Sequence, residues 1–354
     1  MLIFMSRKEV IFMSKKKFKS SLGKYFQAYY NEQVALYLSV SHKLTQLHVF
    51  DNYFFKKEKE PIFHSEAVVT EMLDYLVTEE KRDRYRYTST FAMFAKYLVR
   101  LGVPCYIPYV GKRPKSNYLP YIYSYEEIGR IFNAADSLRC KKHCNRSILM
   151  IMPALVRLLY STAIRLGEAL SLQNKDVDFE HHIITLNNTK NGCQRIAPIN
   201  SSMEKVLSQY TAYRDRLQVK NINDPDSFFF VNLLGQPCTN HAVFTKFVEI
   251  LHIAGVKYRG NRLGPRIHDL RHTACVHTMI KMSKDGKDIY CALPNIAAYM
   301  GHKNYSSTYK YLRLSKDMFP DIINISYNLG KSLDTTIYRN VNFDEYDEPQ
   351  IRNL

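Results

Sequence analysis

Residues 103–121 (VPCYIPYVGKRPKSNYLPY) carry four prolines, one glycine and three basic side chains. Proline fixes φ and lacks an N–H, so neither a helix nor a central strand runs through such a stretch. The chain must therefore fold as two separately cored parts joined by a link. A length of 354 residues suits two domains, and 46% hydrophobic content supplies a core for each. The expected organisation is a basic N-terminal extension (1–19), a helical domain (20–102), a linker (103–121) and a mixed domain (122–330). A tail (331–354) follows, in which five acidic residues outnumber three basic ones. The fold class expected is mainly α with a small β-sheet (α+β).

Local patterns fill in both parts. Val68, Met72, Leu73 and Leu76 line one face of a helix that Ser65 is placed to cap, and Phe91, Phe94, Leu98 and Leu101 repeat the spacing. Gly102 and Pro104 end that second helix. Ser124 and Glu127 form a capping-box pair that opens the mixed domain. There, Ile183–Leu186 and Arg195–Ile199 flank Asn191-Gly192 as a β-hairpin, and residues Phe228–Val231 read as another short strand. Further helices are expected at Ala242–Ala254, His268–Met282 and Pro294–Met300. The chain shows no internal repeat.

Charge narrows the partner. Lys and Arg number 50 against 33 Asp and Glu, a formal charge of +17 and a pI near 9.4. That balance favours a polyanion, with nucleic acid first. In KRDRYRYTST, Lys81, Arg82, Arg84 and Arg86 alternate with tyrosines. The segment reads equally as a helix entrance touching DNA phosphates or as a solvated loop. Seven cysteines, odd in number and scattered, suit reduced thiols. Cys140 and Cys144 lack a second pair at zinc spacing, so no metal site is expected. No apolar run reaches the ~18 residues of a membrane span, and the charged opening is a poor signal peptide. A cytoplasmic protein is expected, with Met1, Met5 and Met13 all candidate starts.

Six residues suited to a phosphodiester follow one another in the second part. They are Arg165 in STAIRLGEALSL, Lys190 in NNTKNGCQ, His268 and Arg271 in RIHDLRH, and His302 and Tyr311 in YMGHKNYSSTYKYL. Attack on phosphorus builds charge on the non-bridging oxygens, and an arginine fork binds two of them while staying protonated. Those contacts strengthen as charge develops, so Arg165 and Arg271 suit catalysis. A tyrosine nucleophile would store the broken bond as an ester and make rejoining independent of ATP. With 27 tyrosines present, Tyr305 and Tyr309 compete with Tyr311 for that role. His268 is the candidate base or proton shuttle. No carboxylate cluster for two metals and no phosphate-binding glycine loop is evident, so no cofactor is expected.

These motifs, in this order, resemble those of the tyrosine recombinase (phage integrase) family, over roughly Tyr121 to Phe319. TAIRLGEALSL resembles the family's first-arginine helix, HDLRH its His-x-x-Arg box, and GHKNYSSTYKY its Gly-His…Tyr box. The family's nucleophile lies nine residues beyond that histidine, which selects Tyr311. The resemblance implies Lys190 as general acid, His302 as a phosphate ligand beside the nucleophile, and Glu168 as an orienting carboxylate. His272 matches the pattern too and is expected to pack or to hydrogen-bond structurally. The resemblance also implies a core-binding first domain and a clamp around double-stranded DNA. A homotetramer would exchange strands, with accessory DNA-bending or directionality proteins as further partners. The implied activity is site-specific DNA cleavage and rejoining, for integration, excision or transposition of a mobile element. An Xer-type dimer resolvase is the runner-up. An inverting switch, a type IB topoisomerase and a non-catalytic DNA-binding regulator on the same scaffold rank lower.

Overall fold

In the computed structural model the described residues are 17–36, 41–57, 65–114, 119–139, 144, 146–187, 194–260, 264–301, 308 and 311. The chain divides into two compact units, Met1–Asn117 and Tyr118–Leu354.

The first unit is helical: α1 (Gly23–Ala35), α2 (Ser41–Lys57), α3 (Glu66–Thr78) and α4 (Arg84–Arg100). Aromatic side chains dominate its core, with Phe26, Phe50, Phe91 and Phe94 all fully buried. Phe26 stacks on Phe94 at 4.5 Å, an arrangement that adds to the burial of both rings. Asp83 caps α4 by accepting from the Arg86 N–H at 2.7 Å. Three details differ from the sequence expectation. Val69, not Val68, is the buried valine of α3. Ser65 occupies the N-cap position without a side-chain capping bond. Leu101 lies past the last turn of α4, just before left-handed Gly102, and is exposed.

The second unit opens on the expected capping box. Ser124 Oγ accepts from the Glu127 N–H, and the Glu127 carboxylate accepts from the Ser124 N–H. The elements that follow are α5 (Tyr125–Ser137), α6 (Met152–Thr162), α7 (Leu166–Leu170), β1 (Val177–Asp178), β2 (Ile183–Leu186) and β3 (Arg195–Pro198). After the sheet come α8 (Ser201–Arg214), α9 (Asn240–Ile253), α10 (Asp269–Lys284) and α11 (Ile289–Met300). The three strands form one antiparallel sheet in the order β1-β2-β3, with Ile184 opposite Ala197. Apolar α6 is central, packed against α5, α8 and α10. The fold is thus mainly helical with a small sheet. Among the described residues no helix is long and apolar enough to cross a membrane.

Two expectations are corrected here. Residues 228–231 make only isolated bridges, Gln173 with Phe228 and Val231 with Pro237. Side chains take the backbone groups a strand neighbour would: Tyr210 Oη and Arg214 Nη1 donate to the Phe229 carbonyl, and the Val231 N–H donates to Tyr210 Oη. The helix expected from Pro294 begins five residues earlier. Asp288 caps it by accepting from the N–H groups of Tyr290 and Cys291, so the proline sits inside the helix.

Candidate active site

Two helices end side by side in left-handed residues. Ala163 follows α6 at φ 51° and Gly301 follows α11 at φ 63°. A helix leaves its last carbonyls without intrahelical partners, and those oxygens carry the negative end of its dipole. Arg271, in the first turn of α10 and 2% exposed, donates to the Ala163 and Met300 carbonyls at these two ends. Arg165 Nη2 donates to the Gly301 carbonyl at 3.3 Å. The helix ends thereby fix two guanidinium groups close together.

Arg165 itself is the N-cap of short α7. Glu168, three residues on, therefore reaches back across the N-terminus instead of lying beside it on a helix face. Its Oε2 accepts the Arg165 N–H at 2.9 Å and its Oε1 accepts from Arg165 Nη1 at 2.7 Å. Arg195, the first residue of β3, grips the same carboxylate through Nη1 at 3.1 Å and Nη2 at 2.8 Å. Burial of Glu168 pushes its pKa up. Hydrogen bonds from Arg195 and from the Arg165 N–H and side chain outweigh this and hold it below the usual carboxylate range. Arg195 also presses on Gly301, where an added Cβ would lie 2.6 Å from Nη1.

The tyrosine completes the group. Tyr311 is 5% exposed and packs in a small core with Ala274, Cys275 and Met300. Burial raises its pKa, with Cys275 adding to the rise, while Arg271 and Arg165 pull it down. Its hydroxyl is thus within electrostatic reach of both guanidiniums. His272 Nδ1 lies 2.7 Å from Tyr311 Oη. The His272 ring lies 5.4 Å from the Tyr311 ring and 4.9 Å from the nearly perpendicular His268 ring. His268 keeps an accessible face. Its remaining contacts desolvate it, and Arg271, Arg266 and Arg165 add to that effect, pushing its pKa down to about 4. It is neutral at pH 7.

Five sequence-derived candidates, Arg165, Glu168, His268, Arg271 and Tyr311, thus come together. Lys190 and His302 lie outside the described residues, as do the rival tyrosines Tyr305 and Tyr309 and the Asn191-Gly192 turn. Lys81, Arg82, Arg84 and Arg86 are exposed in the first unit, with Arg82 paired to Glu80 at 3.1 Å and Arg84 to Asp74 at 2.6 Å. Among the described residues no group of three His, Cys, Asp or Glu is placed to hold a metal ion.

Arg195 was missed, and strand alternation is the reason. An apolar-inward reading of Arg-Ile-Ala puts Ile196 in the core, whereas Ile196 is 56% exposed and Arg195 faces inward with Ala197. His272 was noticed, but its partner lies 39 residues away and no local pattern reveals it.

Residues 124–318 match the family model described as the phage integrase family. A protein named as a candidate integrase/recombinase, y4rB of Sinorhizobium fredii (strain NBRC 101917 / NGR234), is 29% identical over 232 residues, 65% of this chain and 73% of that protein. Tyrosine recombinase XerC of Bacillus pumilus (strain SAFR-032) is 28% identical over 232 residues, 65% of this chain and 69% of that protein. Among solved structures, a lambda integrase (75–356) dimer bound to a COC′ core site has a TM-score of 0.57 at 14% identity. That match covers 93% of this chain and 99% of the lambda chain, a likeness of fold.

Proposed function

The chain belongs to the phage integrase family, and on that premise we propose that it cuts and rejoins DNA at specific sites through a 3′-phosphotyrosyl ester. One observation carries the reading: the Tyr311 hydroxyl shares a site with the Arg165 and Arg271 guanidiniums. Tyr311 attacks phosphorus. Arg165 and Arg271 hold the non-bridging oxygens, and their contacts tighten as charge grows in the transition state. Glu168 and Arg195 orient Arg165. Lys190 protonates the departing 5′ oxygen, and His268 and His302 hydrogen-bond the phosphate. The ester preserves the bond energy, so the reaction needs neither metal nor ATP.

A nicked suicide duplex tests the assignment, because the cut end diffuses away and the adduct persists. The covalent adduct should form with wild type and Tyr309→Phe and vanish with Tyr311→Phe. An adduct that survives Tyr311→Phe removes the proposed nucleophile.

The proposed biological role is integration, excision or transposition of a mobile element. The similarity to the integrase/recombinase y4rB supports it. Resolution of chromosome or plasmid dimers is the second reading, favoured by the similarity to XerC. DNA sequence flanking the gene separates them: element ends support the first, and a single resident site the second. A first domain at 20–102, with Lys81, Arg82, Arg84 and Arg86 at its helix entrance, is proposed to hold the duplex. The active form is proposed to be a tetramer on paired sites. Its contacts include the segment after Tyr311, so deletion after Phe319 should weaken assembly more than cleavage of one site.

A further inference from the structure

We propose that His272, not His268, is the general base that takes the proton from Tyr311. The inference rests on Tyr311 as the nucleophile and adds a residue that the family-derived expectation left with a packing role. A general base must lie within hydrogen-bond reach of the proton it removes. His272 Nδ1 does so, at 2.7 Å from Tyr311 Oη. His268 meets the His272 ring edge-on, with the ring centroids 4.9 Å apart. It also sits among Arg271, Arg266 and Arg165, whose positive charge disfavours a second cation. His268 is therefore suited to stay neutral and hydrogen-bond the phosphate, while His272 accepts charge next to a phenol that is losing it.

The Tyr311 proton passes to His272 Nδ1 as Oη bonds to phosphorus. The bond from phosphorus to the 5′ oxygen breaks, and that oxygen takes a proton from Lys190. On rejoining, the 5′ hydroxyl gives its proton to the Lys190 amine and attacks phosphorus. The ester bond to Oη breaks, and His272 returns its proton to the phenolate. For the transfer to work, the neutral ring carries its own hydrogen on Nε2. Among the described residues, the charged and titratable groups around the pair include Arg271, Asp269, His268 and Cys275 of α10 and its N-cap, together with Arg165 before α7.

The test is single-turnover adduct formation by the full chain on a nicked duplex copied from the DNA flanking its own gene. The scissile phosphate carries either the natural 5′ oxygen or a bridging 5′ sulfur, which departs without a proton. His272→Gln should slow adduct formation on the order of 100-fold with both substrates. It should also remove the rise of rate with pH that titration of the base gives wild type. Lys190→Ala should be slow with oxygen and restored by sulfur. His272→Asn is the second variant should the glutamine form fail to fold, since its amide can keep a bond to Oη but cannot take the proton. Near-wild-type rates with an unchanged pH profile, or rescue of His272→Gln by sulfur, would overturn the proposal. Tyr311→Phe separates the two levels. If it abolishes the adduct while His272→Gln leaves the rate unchanged, this inference alone falls; if the adduct persists, the nucleophile falls first.

Discussion

Arg195 closes on both oxygens of Glu168, at 3.1 and 2.8 Å, while Arg165 holds the same carboxylate from the other side. The carboxylate side chain is 3% exposed, so its charge depends on these donors. Arg195→Ala should cost about 3 kcal/mol of stability, the usual consequence of stripping a partner from a buried charge. Arg195→Lys should not restore activity, because an ammonium cannot bridge two oxygens. In the double variant Glu168→Gln/Arg195→Ala, the losses should sum to less than the two singles. Denaturant unfolding of the four proteins checks this.

Gly301 should resist substitution for two separate reasons. Its φ of 63° is strained for any residue with a Cβ, at about 1 kcal/mol. The added carbon would also meet Arg195 Nη1 at 2.6 Å and dislodge it from Glu168. Gly301→Ala should therefore lower adduct formation about 10-fold or more, beyond what its stability loss explains. Rates measured well below the unfolding temperature distinguish the two effects.

His277 gives the second unit a pH-dependent stability. The ring is 5% exposed, stacks on Tyr125 at 3.9 Å and bonds Tyr160 Oη through Nδ1 at 2.8 Å. Burial pushes its pKa down to about 4. Between that value and the ordinary ~6.5 the unfolded chain binds more protons, so stability is complete above ~6.5 and falls as pH drops toward 4. The loss reaches up to about 3 kcal/mol by the low end of that window. His277→Phe keeps a stacked ring and removes the titration. Its curve of stability against pH, measured by denaturant unfolding, should be flatter than wild type from pH 7 to 4.5, with His268 supplying the slope that remains.

Charge neutralisation by guanidinium groups predicts indifference to chelators. Adduct formation should be unchanged after exhaustive treatment with EDTA, and added magnesium should not accelerate it. A rate that collapses on chelation and returns with the metal would count against the proposed chemistry.

Much of the architecture was legible because it follows local rules. The Ser124–Glu127 capping box, the β2–β3 hairpin and α10 each announce themselves within a few residues. The misreadings arise where tertiary contacts override those rules. Phe229 and Phe230 are both buried, but the Phe229 carbonyl is held by the Tyr210 and Arg214 side chains rather than by a neighbouring strand. Arg165 was legible as a candidate, yet its position as the N-cap of α7, with Glu168 reaching back to it, was not. Arg195 points inward only because a buried carboxylate awaits it. The His272–Tyr311 contact spans 39 residues and two elements, a distance at which sequence pattern carries no signal.

Arg271 supplies the donors that finish two helices, those ending at Ala163 and at Met300. A protein made inactive by changing this arginine would lose the proposed phosphate ligand and the seam between α6 and α11 at once. Such a variant makes a poor negative control, since failed catalysis and failed architecture would look the same in any DNA assay. Tyr311→Phe subtracts a single oxygen and leaves that seam intact, which makes it the cleaner blank against which every other substitution should be judged.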